Sequence, residues 1–241
     1  MTHLKMPLYL LAIILLCFSN SCSKMEPIDP IVDPMEEEEM VEPTTYSYLA
    51  LGDSYTIGQG VAVDDRWPIQ LQSRLLTDSV MVDSVKIIAQ TGWTTTNLLN
   101  AIEQDDPDQH DIVSLLIGVN NQFQGKPFSL FEEELIELLD IAESLSINGR
   151  DGVFVVSIPD YGVTPFGANN AEQIAEELDN YNQYTKEQCE VRSIPYIDIT
   201  ELSRMLGADN GALASDNLHP SAYQYSQWVS EILPAITQLF E

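Results

Sequence analysis

The sequence predicts an α/β domain built on one five-stranded parallel sheet with helices on both faces. Three observations carry that expectation. Five short apolar runs recur, rich in β-branched residues and nearly unbroken in hydrophobicity, as strands covered on both faces must be. Amphipathic stretches of helical period separate them, and such alternation gives parallel strands joined by right-handed crossovers. The stretch that holds them, Tyr46 to Glu241, is about 200 residues, the size of one domain with a sizeable core.

The expected strands are "YSYLAL" (Tyr46–Leu51), "VKIIA" (Val85–Ala89), "DIVSLLIG" (Asp111–Gly118), "GVFVVSI" (Gly152–Ile158) and "IPYIDI" (Ile194–Ile199). The first helix, "WPIQLQSRLL" (Trp67–Leu76), sets Trp67, Leu71 and Leu75 one turn apart. "TTTNLLNAIEQ" (Thr94–Gln104) opens on N-capping hydroxyls. "SLFEEELIELLDIAESL" (Ser129–Leu145) carries acidic residues in its expected first turn, which suits the helix dipole. "NAEQIAEELDNYNQYTKEQCE" (Asn170–Glu190) is a longer amphipathic helix, and "SAYQYSQWVSEILPAITQLF" (Ser221–Phe240) closes the chain with an expected kink or break near Pro234.

The first 45 residues read differently. "MPLYLLAIILLCF" (Met6–Phe18) has the length of a signal-peptide core, short of the roughly 20 residues of a spanning helix. "SNSC" (Ser19–Cys22) follows and resembles a bacterial lipoprotein cleavage site, with Cys22 as the lipidated N-terminus of the mature chain. Ordinary cleavage nearby, with Cys22 incidental, is the alternative. Residues 22–45 then carry four prolines and a run of four glutamates, which predicts an extended, solvated tether. The expected location is the bacterial cell envelope, with a lipid anchor in the membrane.

The formal net charge is −28, with only 10 Lys and Arg, so no basic cluster exists to neutralise phosphates and nucleic acid is excluded as a partner class. Cys17 lies in the leader and Cys22 at the proposed anchor, which leaves Cys189 alone in the domain. A lone cysteine makes no internal disulfide, and this one reads as a buried structural thiol.

Ligands in open parallel sheets bind beyond the carboxyl ends of the strands. Gly52-Asp53-Ser54 sits there after the first strand, Gly92 after the second and Gly118-Val119-Asn120 after the third. A serine hydroxyl needs a base, and the base needs an orienting group. Of three histidines, His3 leaves with the leader and His110 precedes the third strand, at the opposite edge, where a structural role is expected. His219, in a polar loop, is the one expected to reach the catalytic edge. Asp216 precedes it by three residues, a spacing that can bring a carboxylate beside the imidazole Nδ1 and stabilise the imidazolium. Three donors for an oxyanion lie at neighbouring strand ends: the Ser54 N–H, the Gly92 N–H and the Asn120 side-chain amide.

Taken singly, each residue has a blander role. Ser54 could cap a helix, Gly92 could serve a turn, Asn120 could exchange roles with Asn121, and His219 could be a loop residue. Asp53 reads as a turn and hydrogen-bonding residue.

The four blocks together, "GDSY", "QTGWTT", "IGVNN" and "DNLHP", resemble those of the SGNH, or GDSL, hydrolases, in the family's order and from Leu49 to Pro220. The resemblance implies a three-layer α/β/α, flavodoxin-like fold and ester hydrolysis through an acyl-enzyme. It implies Ser54 as nucleophile, His219 as base, Asp216 as orienter, and Ser54, Gly92 and Asn120 as the oxyanion hole. No cofactor or metal is implied. Tyr55 stands where leucine is common.

Two loops at the same edge, "NNQFQGKPF" (Asn120–Phe128) and the proline-braced "SIPDYGVTPFG" (Ser157–Gly167), put Gln122, Phe123 and Tyr161 forward as substrate contacts, together with Trp93 of "QTGWTT", with aromatic packing as the equal alternative. No long apolar insertion reads as a lid, which points to short acyl esters on a polar alcohol such as a sugar. Longer-chain lysophospholipase or thioesterase activity, a phosphate-binding flavodoxin-type module and a non-catalytic carbohydrate-binding lipoprotein are the competing readings. The sequence gives no expectation for oligomeric state.

Overall fold

Buried, β-branched strands set the centre of the sheet. In the computed structural model, which describes residues 45–77, 80–207, 209 and 211–240, β1 (Thr45–Gly52) is buried from Tyr48 onward. β3 (Ile112–Leu116) and β4 (Val153–Val156) are buried throughout. β2 (Met81–Ala89) and β5 (Tyr196–Ile197) form the two edges of a five-stranded sheet of order β2-β1-β3-β4-β5, all parallel. This is the flavodoxin-like order, whose direction reverses between β1 and β3. The leader, Cys22 and the tether lie outside the described residues, except Thr45, which begins β1.

Helices cover both faces. α2 (Trp67–Thr77) packs with α8 (Ala222–Ile236), while α5 (Phe128–Leu145) packs between α3 (Thr95–Asp105) and α6 (Ala171–Arg192). Right-handed crossovers put these two groups on opposite faces, because the chain steps from β1 to β2 in one direction and from β2 through β5 in the other. Trp67, Leu71 and Leu75 all point into the core, as their spacing predicts.

Several boundaries depart from the sequence reading. β2 starts four residues before Val85, because an edge strand tolerates polar Asp83 and Ser84. β5 keeps only two residues of the expected six. α5 starts at Phe128, so Glu132–Glu134 fall past the first turn. Glu134 instead accepts the Thr95 and Thr96 hydroxyls. Thr94 caps α3 as part of a capping box with Asn97. Pro234 sits inside α8, and the change to a 3₁₀ turn comes three residues later, at Thr237. A short helix, α7 (Thr200–Leu206), was not anticipated: seven residues are too few for a helical period to register.

Candidate active site

The first strand ends in a tight turn into a one-turn helix, α1 (Ser54–Ile57). Asp53 caps it: its Oδ1 accepts the Tyr55 N–H at 3.0 Å. The helix-cap role thus falls to Asp53, and Ser54 is left as the first helical residue at the strand end. Asp53 is fully buried. Burial pushes its carboxyl up to about 7, against the pull of the Tyr55 N–H and the Asn120 amide.

Asn120 lies in α4 (Val119–Phe123), which starts immediately after Gly118. Gly118 is held at φ +125°, and a Cβ there would sit 2.7 Å from the Phe131 ring and 2.9 Å from Ile158. Only glycine fits that close approach. The Asn120 amide nitrogen donates to the Trp93 carbonyl at 3.0 Å and faces Asp53 Oδ2 at 3.5 Å. Asn121 is fully buried: its Oδ1 accepts the Thr95 N–H at 3.0 Å and its Nδ2 donates to the Thr95 hydroxyl at 2.6 Å. The neighbouring asparagines therefore have separate jobs, and Asn120 is the one at the pocket. Gly92 has φ +85°, with open space where a Cβ would be, so its backbone is bare toward the pocket.

The last block folds on itself. Asp216 Oδ1 accepts the N–H groups of Leu218 and His219, each at 3.0 Å, and Oδ2 contacts His219 Nδ1 at 2.6 Å. One carboxylate thus fixes the turn with one oxygen and the imidazole with the other, which is why the two residues stand three apart. Partial burial raises the Asp216 pKa, but the hydrogen bonds from the His219 ring and the two N–H groups outweigh it and hold the carboxyl below the usual range. Ser221 caps α8 just beyond, and the Tyr55 ring meets the His219 ring edge-on at 5.8 Å.

Ser54, Gly92, Asn120 and His219 line one pocket of about 210 Å³. Its remaining walls are Tyr55, Thr91, Val119, Phe123, Tyr161, Phe166 and Leu218. Of the expected substrate contacts, Phe123 and Tyr161 are there. Trp93 is not: it packs half-buried against the core and offers only its carbonyl, to Asn120. Gln122 is not either. It accepts the Tyr161 hydroxyl at 2.9 Å and donates to Glu177 at 2.6 Å, facing a neighbouring cleft. Phe166 was missed, although it belongs to the proline-braced loop expected to wall the site. Phe123, Tyr161 and Phe166 form a triangle with ring centres 5.7–6.3 Å apart, and Phe123 and Phe166 are more than half exposed.

A buried ion pair holds that loop. Asp160 Oδ1 accepts the Gly162 N–H at 2.7 Å, and Oδ2 pairs with Arg204 Nε of α7 at 2.9 Å. Arg204 also reaches Asp179 and Glu201, each at 2.7 Å. Two other expectations hold at a distance from the pocket. His110 is buried and donates from Nδ1 to the Asp108 carbonyl at 2.8 Å. Cys189 is a buried free thiol whose pKa burial pushes up to about 12.

The GDSL-like Lipase/Acylhydrolase family matches residues 50–226, nearly the whole described domain. The chain belongs to that family. This GDSL hydrolase therefore acts on ester bonds. Its fold is shared with the crystal structure of TesA, at 17% identity and a TM-score of 0.61 over 80% of this chain and 99% of that one. A lipolytic G-D-S-L family member from Veillonella parvula superposes at 16% identity and a TM-score of 0.63, over 81% and 100% of the two chains. Esterase EstA from Pseudoalteromonas sp. does so at 16% identity and 0.56, over 80% and 98%. No curated protein matches the sequence.

Proposed function

We propose that this GDSL hydrolase is a serine esterase working through an acyl-enzyme. The observation that carries this is the convergence of Ser54, Gly92, Asn120 and His219 on one pocket, with Asp216 at 2.6 Å behind the imidazole. Ser54 Oγ attacks the ester carbonyl carbon and its proton passes to His219. Asp216, held ionised, stabilises the imidazolium. The oxyanion is met by the N–H groups of Ser54 and Gly92 and by the Asn120 amide. Collapse returns the proton to the departing alcohol, and water then releases the acid by the same steps. The intact His219–Asp216 pair speaks against a non-catalytic carbohydrate-binding role.

The substrate we infer is a short acyl ester of a polar alcohol. A pocket of about 210 Å³ lies below the roughly 300–1,000 Å³ of sites that enclose drug-sized ligands, and it must hold the acyl group beside the nucleophile. The exposed rings of Phe123 and Phe166 favour a second reading, in which a longer chain runs out of the pocket over them. Turnover of p-nitrophenyl esters from acetyl to dodecanoyl separates the two. The same proposal places the domain in the cell envelope on lipidated Cys22, tested by whether Cys22→Ser releases the chain from membranes. The test of the chemistry is Ser54→Ala, which is expected to fold and to abolish ester turnover; normal turnover by that variant would overturn the proposal.

A further inference from the structure

Beside the catalytic pocket lies a larger cleft, about 550 Å³, between the α4–α5 connection and one face of α6. That volume falls inside the roughly 300–1,000 Å³ of ligand sites, whereas the catalytic pocket falls below it. The floor is aromatic: Phe128 meets Tyr181 and Tyr184 edge-on, with ring centres 4.9 and 5.9 Å apart. The rim is polar, with exposed Asn180 and Gln183 on successive turns of α6. Gln122 forms the wall toward the catalytic pocket. It accepts from Tyr161, which lines that pocket, and donates to Glu177, which lines the cleft. One hydrogen-bonded chain therefore separates the two cavities.

The lining selects among ligand classes. Side-chain amides both donate and accept, which matches hydroxyl groups that do the same. An aromatic floor packs against the apolar face of a sugar ring. An anion is disfavoured by Glu177 and Glu187 at the cleft and by a chain of net charge −28. A cation meets Lys126, which also lines it. A fatty chain would strip water from the amides and carboxylates without replacing their hydrogen bonds. We propose that this cleft binds a neutral glycosyl unit of the alcohol half of the substrate, next to the acyl pocket and across Gln122. The assignment rests on the esterase reading and names the substrate class for it.

The test uses the full chain and acetylated tetrasaccharides of glucose, xylose and mannose, with p-nitrophenyl acetate as the small reference ester. Asn180→Ala and Tyr184→Ala are expected to lower the ratio of kcat/KM for the tetrasaccharide ester to kcat/KM for the aryl ester by about tenfold, mainly through KM. Asn180 is exposed, so its variant keeps the test alive if Tyr184→Ala fails to fold. A ratio unchanged in Asn180→Ala for every sugar would overturn the proposal. A binding arm stands apart from catalysis: Ser54→Ala should bind at least one unacetylated tetrasaccharide by calorimetry, and adding Asn180→Ala should weaken it. Binding of none of them, or binding of choline instead, would overturn the cleft assignment. Absence of aryl ester turnover by the wild type would instead overturn the esterase reading, with the binding arm still deciding the cleft.

Discussion

Asn120 and Asn121 are adjacent, identical in chemistry and opposite in expected effect. The Asn120 amide nitrogen carries two protons. One donates to the Trp93 carbonyl at 3.0 Å; the other makes a long, 3.5 Å bond to Asp53 Oδ2, which an oxyanion in the pocket would have to replace. Removing one such donor costs about 3 kcal/mol in the transition state, roughly a hundredfold or more in kcat. Asn120→Ala should show that loss with KM little changed. Asn121→Ala deletes the acceptor of the buried Thr95 N–H and the donor to its hydroxyl. The Thr95 hydroxyl keeps its bond to Glu134, but leaving the buried N–H unpaired costs about 2 kcal/mol, which for a domain of this size lowers Tm by roughly 4–8 °C. The folded Asn121 variant should turn over substrate at close to the wild-type rate. Steady-state kinetics on p-nitrophenyl acetate and a thermal melt of both variants suffice. A kcat loss confined to Asn121→Ala, with Asn120→Ala fully active, would refute the assignment of the oxyanion donor.

Asp53 gives a pH signature. In the unfolded chain its proton leaves near 3.9, and in the folded protein at about 7, so between those values the folded state holds the extra proton. Stability should therefore fall as pH rises from about 4 to 7, and Asp53→Asn should flatten that slope in urea melts; an unchanged slope would remove Asp53 as its source. Asp216 acts the other way: its depressed pKa adds stability that is present above the ordinary carboxylate range and lost as pH falls through the folded value. Arg204→Ala strands the buried Asp160 carboxylate, at about 3–5 kcal/mol, and should lower Tm by roughly 10 °C; a shift within error would mean that the ion pair does not hold the loop. Across p-nitrophenyl esters, kcat/KM should peak between acetyl and butyryl, and Phe166→Ala should move the peak to longer chains. A steady rise to dodecanoyl in the wild type would favour a lipid substrate.

The residues proposed as nucleophile and oxyanion donors were legible because Ser54, Gly92 and Asn120 follow their strands by two, three and four residues; His219, 22 residues past β5, was legible from its spacing to Asp216. Asp216 and His219 share one turn, so three residues of sequence contain their whole relationship. The parallel sheet followed from the alternation of strands and helices, and its flavodoxin-like order from the family resemblance. The pocket walls were not legible to the same degree. Tyr161 and Phe166 meet Phe123 only because α4 and the loop after β4 converge in space. Gln122 was expected as a substrate contact, but its side chain turns to Glu177, 55 residues on, and away from the pocket. Arg204 and Asp160 are 44 residues apart, and the helix that carries Arg204 is too short to announce itself.

Covalent acylation of Ser54 is the step on which the proposed mechanism depends. An activated ethylphosphonate ester is the reagent, because an activated serine hydroxyl attacks its phosphorus and expels the leaving group. Intact mass after incubation should show one adduct per chain, and peptide mapping should place it on Ser54. His219→Ala should slow its formation by orders of magnitude while leaving the fold unchanged. An unmodified chain, or an adduct on any residue other than Ser54, would contradict the account.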